Sequence, residues 1–426
     1  MKDPTKTISR YLERHAVDID AGVELPPPAD DLKICLVIPA YDELETVAEV
    51  IDSVADTEMA PTEVEIIVCV NHGADAPDRV KEANRKTVAL LRERDSPFAL
   101  FVIDRASAGA EFPADQAGVG RARRLLMDLA TRRLHQSGHS KDGIIACLDG
   151  DSPADPGYLD QIWRELSAHT NALAAHCRYR HPIPDDPHHA RAIIAYETWM
   201  RHFEVCLHLT GSPYAFQSIG SCMVVTARGY AAADGVPPRE ALSDFYLLQK
   251  IAKVGGNRSV IQLKEPLVRP SPRQSTRVPR GTGPSVRAAM TEEEKRFEWV
   301  EPPRAFFEMR HFFKALPEGF ENPEILHRAA SPFLTEILER WNGFRTIDKL
   351  RTHAPDAHQF TRQTHIWFDS LKVVKFANRS KEKWGPLSIF DAVAEVYREL
   401  YGEAVNITDR RELLEKLRGD ELRPWL

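Results

Sequence analysis

The sequence predicts an α/β protein: a parallel sheet covered by helices on both faces. Three observations carry that expectation. Apolar runs at residues 34–38, 64–70 and 144–148 are short and bounded by turn-forming residues, the pattern of strands buried on both faces. Between them lie segments with helical spacing, for example Val47, Val50, Ile51 and Val54 on one face, and such alternation of strands and helices builds parallel sheets. The third is the run Gly143-Ile-Ile-Ala-Cys-Leu-Asp-Gly-Asp-Ser152, an apolar strand that ends abruptly in two carboxylates. In open α/β sheets ligands bind outside the carboxyl ends of the strands.

Taken in order, residues 1–32 read as a lead-in with a short possible helix and a Pro26-Pro27-Pro28 linker. Ile34 to Ile38 forms the first strand, stopped by Pro39, and a helix follows at 45–55. A second strand at 64–70 ends in Asn71-His72-Gly73, and helix 78–94 and strand 98–103 come next. After the loop 106–116 stands a basic helix at 118–135, then the Asp-x-Asp strand, a helix at 156–167 and a strand at 173–177. Beyond about residue 180 the pattern loosens into a turn-rich stretch, a long amphipathic helix at 188–209, a strand at 217–225, a helix at 239–254 and a last strand at 259–263. From about residue 290 the signal is helical and mixed in charge, with no chemical motif. The expected domains are 1–32 as lead-in, 33–285 as the α/β domain, divided near 152 into two halves, and 286–426 as a helical C-terminal region.

Composition narrows the class. The chain has 426 residues, 43% hydrophobic and 28% charged, with a net charge of −7, values of a soluble globular protein that do not suit a nucleic-acid partner. No apolar run approaches the roughly 18 residues that span a bilayer, and the N-terminus has no apolar leader. Six cysteines show no Cys-x-x-Cys spacing, and Cys35, Cys69 and Cys147 fall inside expected strands. A reducing cytoplasm fits best.

The carboxyl ends of the strands carry Tyr41 and Glu43, Asn71 and His72, Asp104, and Asp149 and Asp151. Two carboxylates as close as Asp149 and Asp151 repel each other unless a cation sits between them, and hard oxygen ligands on a short loop suit Mg²⁺ or Mn²⁺. The same residue types also make ordinary strand-ending turns. The basic helix adds Arg121, Arg123 and Arg124 behind Gly118 and Gly120, which suits an anion at a helix start or a solvated face. Downstream, Glu240 and Asp244 share the start of a helix, as a carboxylate pair or as a cap. Arg269, Arg273, Arg277 and Arg280 lie on a Pro/Gly loop, suited to clamping phosphates or to a plain linker.

These motifs, in this order over roughly residues 33–265, resemble the GT-A glycosyltransferases and among them family 2. Leu36-Val-Ile-Pro-Ala-Tyr-Asp-Glu43 looks like that family's opening signature, with Asp42 where Asn is usual; Leu148-Asp149-Gly150-Asp151-Ser152 matches its Asp-x-Asp strand; Pro156-Gly-Tyr-Leu159 matches the helix start that follows. Ser243-Asp244-x-x-Leu247-x-x-Lys250-Ile-x-x-x-Gly255 resembles its Glu-Asp helix. The resemblance implies a GT-A (Rossmann-like) mixed, mostly parallel sheet with a helical C-terminal extension. It implies a nucleotide-diphosphate sugar as donor, with Pro39, Tyr41 and Glu43 in the nucleotide pocket, joined by Asn71, Arg121, Asp149, Arg277 and Arg280. Asp151 would hold Mn²⁺ or Mg²⁺ with Asp149 beside it, and Asp244 would be the general base of an inverting transfer. The chain departs from the family in Asn71-His72-Gly73, in Ser243 for Glu, and in lacking both a recognisable third metal ligand and the membrane segment of polymer synthases. A small-molecule, glycan or lipid-linked acceptor fits, and assembly into an oligomer stays open. The competing readings are a sugar nucleotidyltransferase, which normally carries a Gly-rich basic loop after the first strand, an Asp-nucleophile phosphatase, and a non-catalytic nucleotide- or carbohydrate-binding protein on the same scaffold.

Overall fold

The computed structural model describes residues 3–17, 24–237, 242–278, 281–291 and 296–422. The chain divides into two compact units: Met1–Pro182 with Ser218–Pro284, and Ile183–Gln217 with Ser285–Leu426.

The first unit is built on a seven-stranded sheet. Its strands are β1 (Ile34–Ala40), β2 (Val64–Asn71), β3 (Ala99–Arg105), β4 (Ile144–Cys147), β5 (Ala174–Tyr179), β6 (Met223–Thr226) and β7 (Val260–Val268), in the order β3-β2-β1-β4-β6-β5-β7. β1 and β2 are buried along their whole length, which is why they read as continuous apolar runs. All neighbouring pairs are parallel except those of β6, which runs antiparallel to β4 and β5. The sheet is therefore mixed and mostly parallel, as the resemblance implies, and not wholly parallel as the strand pattern alone suggests. β6 is also shorter than the expected strand, because residues 220–222 form a tight helical turn in front of it.

Helices cover the sheet: α2 (Val47–Ser53), α3 (Asp78–Arg92), α4 (Val119–Gln136), α5 (Tyr158–Ala168), α7 (Ala227–Ala232) and α8 (Ser243–Gly255), with α1 (Pro4–Arg14) before them and α6 (Pro187–Leu209) in the second unit. The lead-in is a docked element. The Tyr11 hydroxyl on α1 donates to Asp128 of α4 at 2.6 Å, the Tyr230 hydroxyl on α7 donates to the same oxygen at 2.7 Å, and the Val17 N–H reaches the other oxygen at 2.8 Å. A buried carboxylate is tolerated when it is hydrogen-bonded in this way.

The second unit is helical apart from a small ladder between Trp299–Val300 and Leu387–Ser388. α6 belongs to it, together with the C-terminal helices, although residues 183–217 were expected in the α/β domain. Phe306, Phe312, Phe333, Phe360 and Phe376 fill its core beside Val205 and Cys206 of α6. Among the described residues no helix is long and apolar enough to cross a membrane. The six cysteines are buried and form no disulfide.

Candidate active site

A cleft of about 400 Å³ opens at the carboxyl ends of β1, β2 and β4. The turn after β1 forms its first wall. Asp42 sits there at φ +59°, a left-handed conformation that Asp and Asn tolerate better than other side-chain-bearing residues. It is held in place: its N–H donates to Asn84 Oδ1 at 2.8 Å, and Arg79 grips its carboxylate at 3.1 and 2.6 Å. The turn aims Glu43 inward, where it is 7% exposed. Glu43 accepts from the Thr46 hydroxyl at 2.8 Å, and the same hydroxyl also reaches the Gly150 carbonyl at 2.8 Å. A Cβ on Gly150 would stand 2.9 Å from Glu43 Cγ, so only glycine lets the Asp-x-Asp loop lie against this wall.

The loop after β7 closes the opposite side. It carries no regular structure over residues 269–276, as its prolines dictate. Arg273 pairs with Glu43 and lies 2.6 Å from Asp151. Arg277 lies 2.6 Å from Glu43 and donates to the Tyr41 carbonyl, also at 2.6 Å. On the third side Arg123 of α4, 4% exposed, reaches Asp149 at 2.8 Å and the Ser243 hydroxyl at 3.0 Å. A Cβ on Gly220 would stand 2.3 Å from the Arg123 guanidinium, so the backbone before β6 is shaped to admit it. The Ser243 hydroxyl thus accepts from an arginine that also holds Asp149.

Three carboxylates and three guanidinium groups meet here. Burial and the neighbouring Glu43 push the Asp151 carboxyl up to about 6 against the pull of Arg273. Burial also raises the pKa of Asp244, at the first turn of α8, with Arg123 opposing it. For Arg273, burial alone would weaken the cation, but the hydrogen bond to Glu43 and the charge of Asp151 outweigh it and push its pKa up. A shifted carboxyl in a cleft, as at Asp151, marks a functional-site candidate.

Of the residues singled out from sequence, Pro39, Tyr41, Glu43, Asn71, His72, Gly118, Asp149, Asp151, Arg273 and Arg277 line this one cleft. Asn71 does so with its amide turned back, donating to the carbonyls of Ala40 at 3.1 Å and Cys69 at 3.2 Å. Asp244 is not among the lining residues and connects to the cleft through its neighbour Ser243 and Arg123. Arg121 is exposed and does not line the cleft, and its neighbour Arg124 is turned to the lead-in, donating to the His15 carbonyl at 2.6 Å. Asp104 is occupied in a turn, accepting from the Ala106 and Ser107 N–H groups at 3.0 and 2.8 Å. Arg269 pairs with Asp155 at 2.6 Å, outside the cleft. Arg280 and Glu240 lie outside the described residues. Sequence reasoning did not single out Asn84 and gave Arg123 no role apart from its neighbours. A signal for Arg123 exists: it shares a helix face with Met127, Ala130 and Leu134, all buried.

No family model matches the chain, and no curated protein matches it. Among solved structures it is similar to S. aureus TarS, with a TM-score of 0.38 and 14% identity over 75% of this chain and 54% of that one, so the chain spans about half of its length. It is similar to residues 1–349 of S. aureus TarS in complex with UDP-GlcNAc, with a TM-score of 0.39 and 15% identity over 83% and 92% of the two chains. The mannosyltransferase PcManGT from Pyrobaculum calidifontis in complex with GDP-Man and Mn²⁺ gives a TM-score of 0.37 and 16% identity over 89% and 96%. Likeness at this level carries none of the functional reading below, which rests on the cleft itself.

Proposed function

We propose that this chain is a glycosyltransferase that moves a sugar from a nucleoside-diphosphate donor to an acceptor hydroxyl, inverting the anomeric centre. One observation carries the reading: Arg273 and Arg277, on an irregular loop, reach into a cleft at the strand ends that also holds Glu43, Asp149 and Asp151. Guanidinium groups recognise phosphate oxygens by paired hydrogen bonds. A departing nucleoside diphosphate gains charge as the glycosidic bond breaks, and fixed cationic donors stabilise it. Arg273 and Arg277 supply that charge, Arg123 orients Asp149 and the start of α8, and Asp244 takes the acceptor's proton. The raised pKa of Asp244 makes it a stronger base than an exposed aspartate.

The chemistry of the carboxylates also fits Mn²⁺ or Mg²⁺. Asp149 and Asp151 offer hard oxygen ligands, and burial of Asp151 beside Glu43 leaves a demand for positive charge. Among the described residues no group of three or more His, Cys, Asp and Glu side chains converges to hold a metal. The ion would therefore complete its shell with phosphate and water oxygens, and it would supply Lewis-acid neutralisation of the leaving diphosphate. The buried cysteines, none of them in a disulfide, support a reducing cytoplasm as the compartment.

The test is release of nucleoside diphosphate from a panel of UDP- and GDP-sugars, with and without Mn²⁺, by wild type and Asp244→Asn. Slow metal-dependent release that falls in the variant supports the reading. Tight binding of a nucleotide with no turnover on any donor, with or without candidate acceptors, would favour a binding protein instead.

A further inference from the structure

His72 lines the cleft but takes no part in the charge network. Its surroundings define its protonation. The Asp42 N–H donates to Asn84 Oδ1 at 2.8 Å, which fixes which end of that amide is oxygen. Asn84 Nδ2 then faces two groups, the Asn71 carbonyl at 3.0 Å and His72 Nδ1 at 3.1 Å. An amide nitrogen only donates, so His72 Nδ1 is the accepting nitrogen and the ring proton resides on Nε2. Burial lowers the pKa of this histidine, which favours the neutral ring. The main chain is fixed as well: the His72 N–H donates to the Arg105 carbonyl at 3.2 Å, and its carbonyl accepts from the Phe112 N–H at 3.1 Å. Asn84 is fully buried, and no other hydrogen-bond partner of the His72 ring exists among the described residues. The result is one pre-oriented N–H donor on the cleft wall.

A nucleoside diphosphate has two chemically unlike parts. The guanidinium groups claim the diphosphate, which leaves the nucleoside to the remaining wall of Tyr41, His72, Gly73, Ala76 and Pro77. We propose that His72 selects the donor's base, its Nε2–H donating to the keto oxygen O4 of uracil or O6 of guanine. The inference rests on the donor class proposed above. Cytosine and adenine carry an amino group where uracil and guanine carry the keto oxygen. With the amino bases two donors would face each other, and a locked neutral tautomer cannot turn its proton away. Asn84 is then a positioning residue, fixing the tautomer from behind.

Isothermal titration of UDP against CDP and of GDP against ADP tests this within each ring type. Wild type should bind the keto member of the better pair about tenfold or more tightly, the worth of one well-placed hydrogen bond. His72→Phe, which keeps a ring but removes the donor, should erase that gap. His72→Gln, whose amide nitrogen falls near the same position, should retain it within about threefold. A wild-type preference for the amino bases, or a gap unchanged in a folded His72→Phe, overturns the role of His72 while leaving the donor class standing. If His72→Phe does not fold, the wild-type ratios and His72→Gln decide the matter. Wild type that binds none of the four overturns both.

Discussion

Two groups of arginines and carboxylates use the same chemistry in this molecule and end differently. In the second unit Glu197 of α6 is fully buried and accepts from Arg201 at 2.8 Å and from Arg418 at 2.8 and 2.7 Å, while Arg201 also reaches Glu421 at 2.7 Å. Every member is buried, and each charge is answered by another. In the first unit Arg273 and Arg277 answer Glu43 and Asp151, but they do so across a cleft, with side chains 31% and 24% exposed. The closed group fixes α6 against the C-terminal helix at 410–419. The open group keeps its donors where a phosphate could take them over. Pairing alone therefore does not separate a structural ion cluster from a binding site; access does.

That contrast is breakable by experiment, and the largest effect is expected at the open site. Asp244→Asn should lower turnover by about 10²–10⁴-fold with donor affinity near that of wild type, read from steady-state kinetics beside a binding titration. At the closed site Glu197→Gln should remove the buried carboxylate that Arg201 and Arg418 share and cost about 3–5 kcal/mol of stability, read from urea unfolding. Arg273→Ala in the cleft should reverse that balance. Donor affinity falls about 10–100-fold, the worth of charge-assisted hydrogen bonds. Stability changes by about 1 kcal/mol or less, because the pair is partly solvated and Asp151 can take a proton.

The smallest effect is a pH dependence, of opposite sign for His202 and Asp151. Burial pushes His202 of the second unit down to about 4. Between about pH 4 and 6.5 the unfolded chain binds this proton and the folded chain does not, so stability is lost as pH falls. Asp151, raised to about 6, acts in reverse: the folded state keeps a proton that the unfolded state releases, and stability is lost as pH rises from about 4 to 6. Glu204, raised by burial to about 7, opposes His202 within the same unit. A difference measurement isolates the histidine: the stability of wild type relative to His202→Gln should drop by about 1 kcal/mol from pH 7 to 5.5. A constant difference would mean that His202 takes up its proton as readily in the fold as in the unfolded chain.

Much of the open site was legible in sequence because it is local. Apolar runs cut by Pro39, Asn71 and Asp149 mark strand ends, and strand ends of such sheets share one rim. The prolines at 270, 272 and 279 rule out a regular helix over residues 269–279 whatever the rest of the chain does. What stayed hidden depends on partners distant in sequence. Arg123 meets Ser243 across 120 residues, and Arg418 meets Glu197 across 221. Arg121 and Arg123 are chemically identical and two positions apart, yet one faces solvent and the other the Asp-x-Asp loop. Periodicity reports which face is buried, not what it is buried against. The same limit explains β6, whose direction is set by the path of the intervening chain, and residues 183–217, which pack with helices that follow much later.

The central claim is that the open cluster is a nucleoside-diphosphate site. A thermal-shift panel of nucleoside diphosphates and their sugars, with and without Mn²⁺, on wild type and Arg273→Ala addresses it directly, since ligand binding to the native state raises the melting temperature. The account predicts a rise with one base, larger with Mn²⁺ and much reduced in the variant. No rise with any of them, in a wild-type sample that unfolds cooperatively, would contradict it.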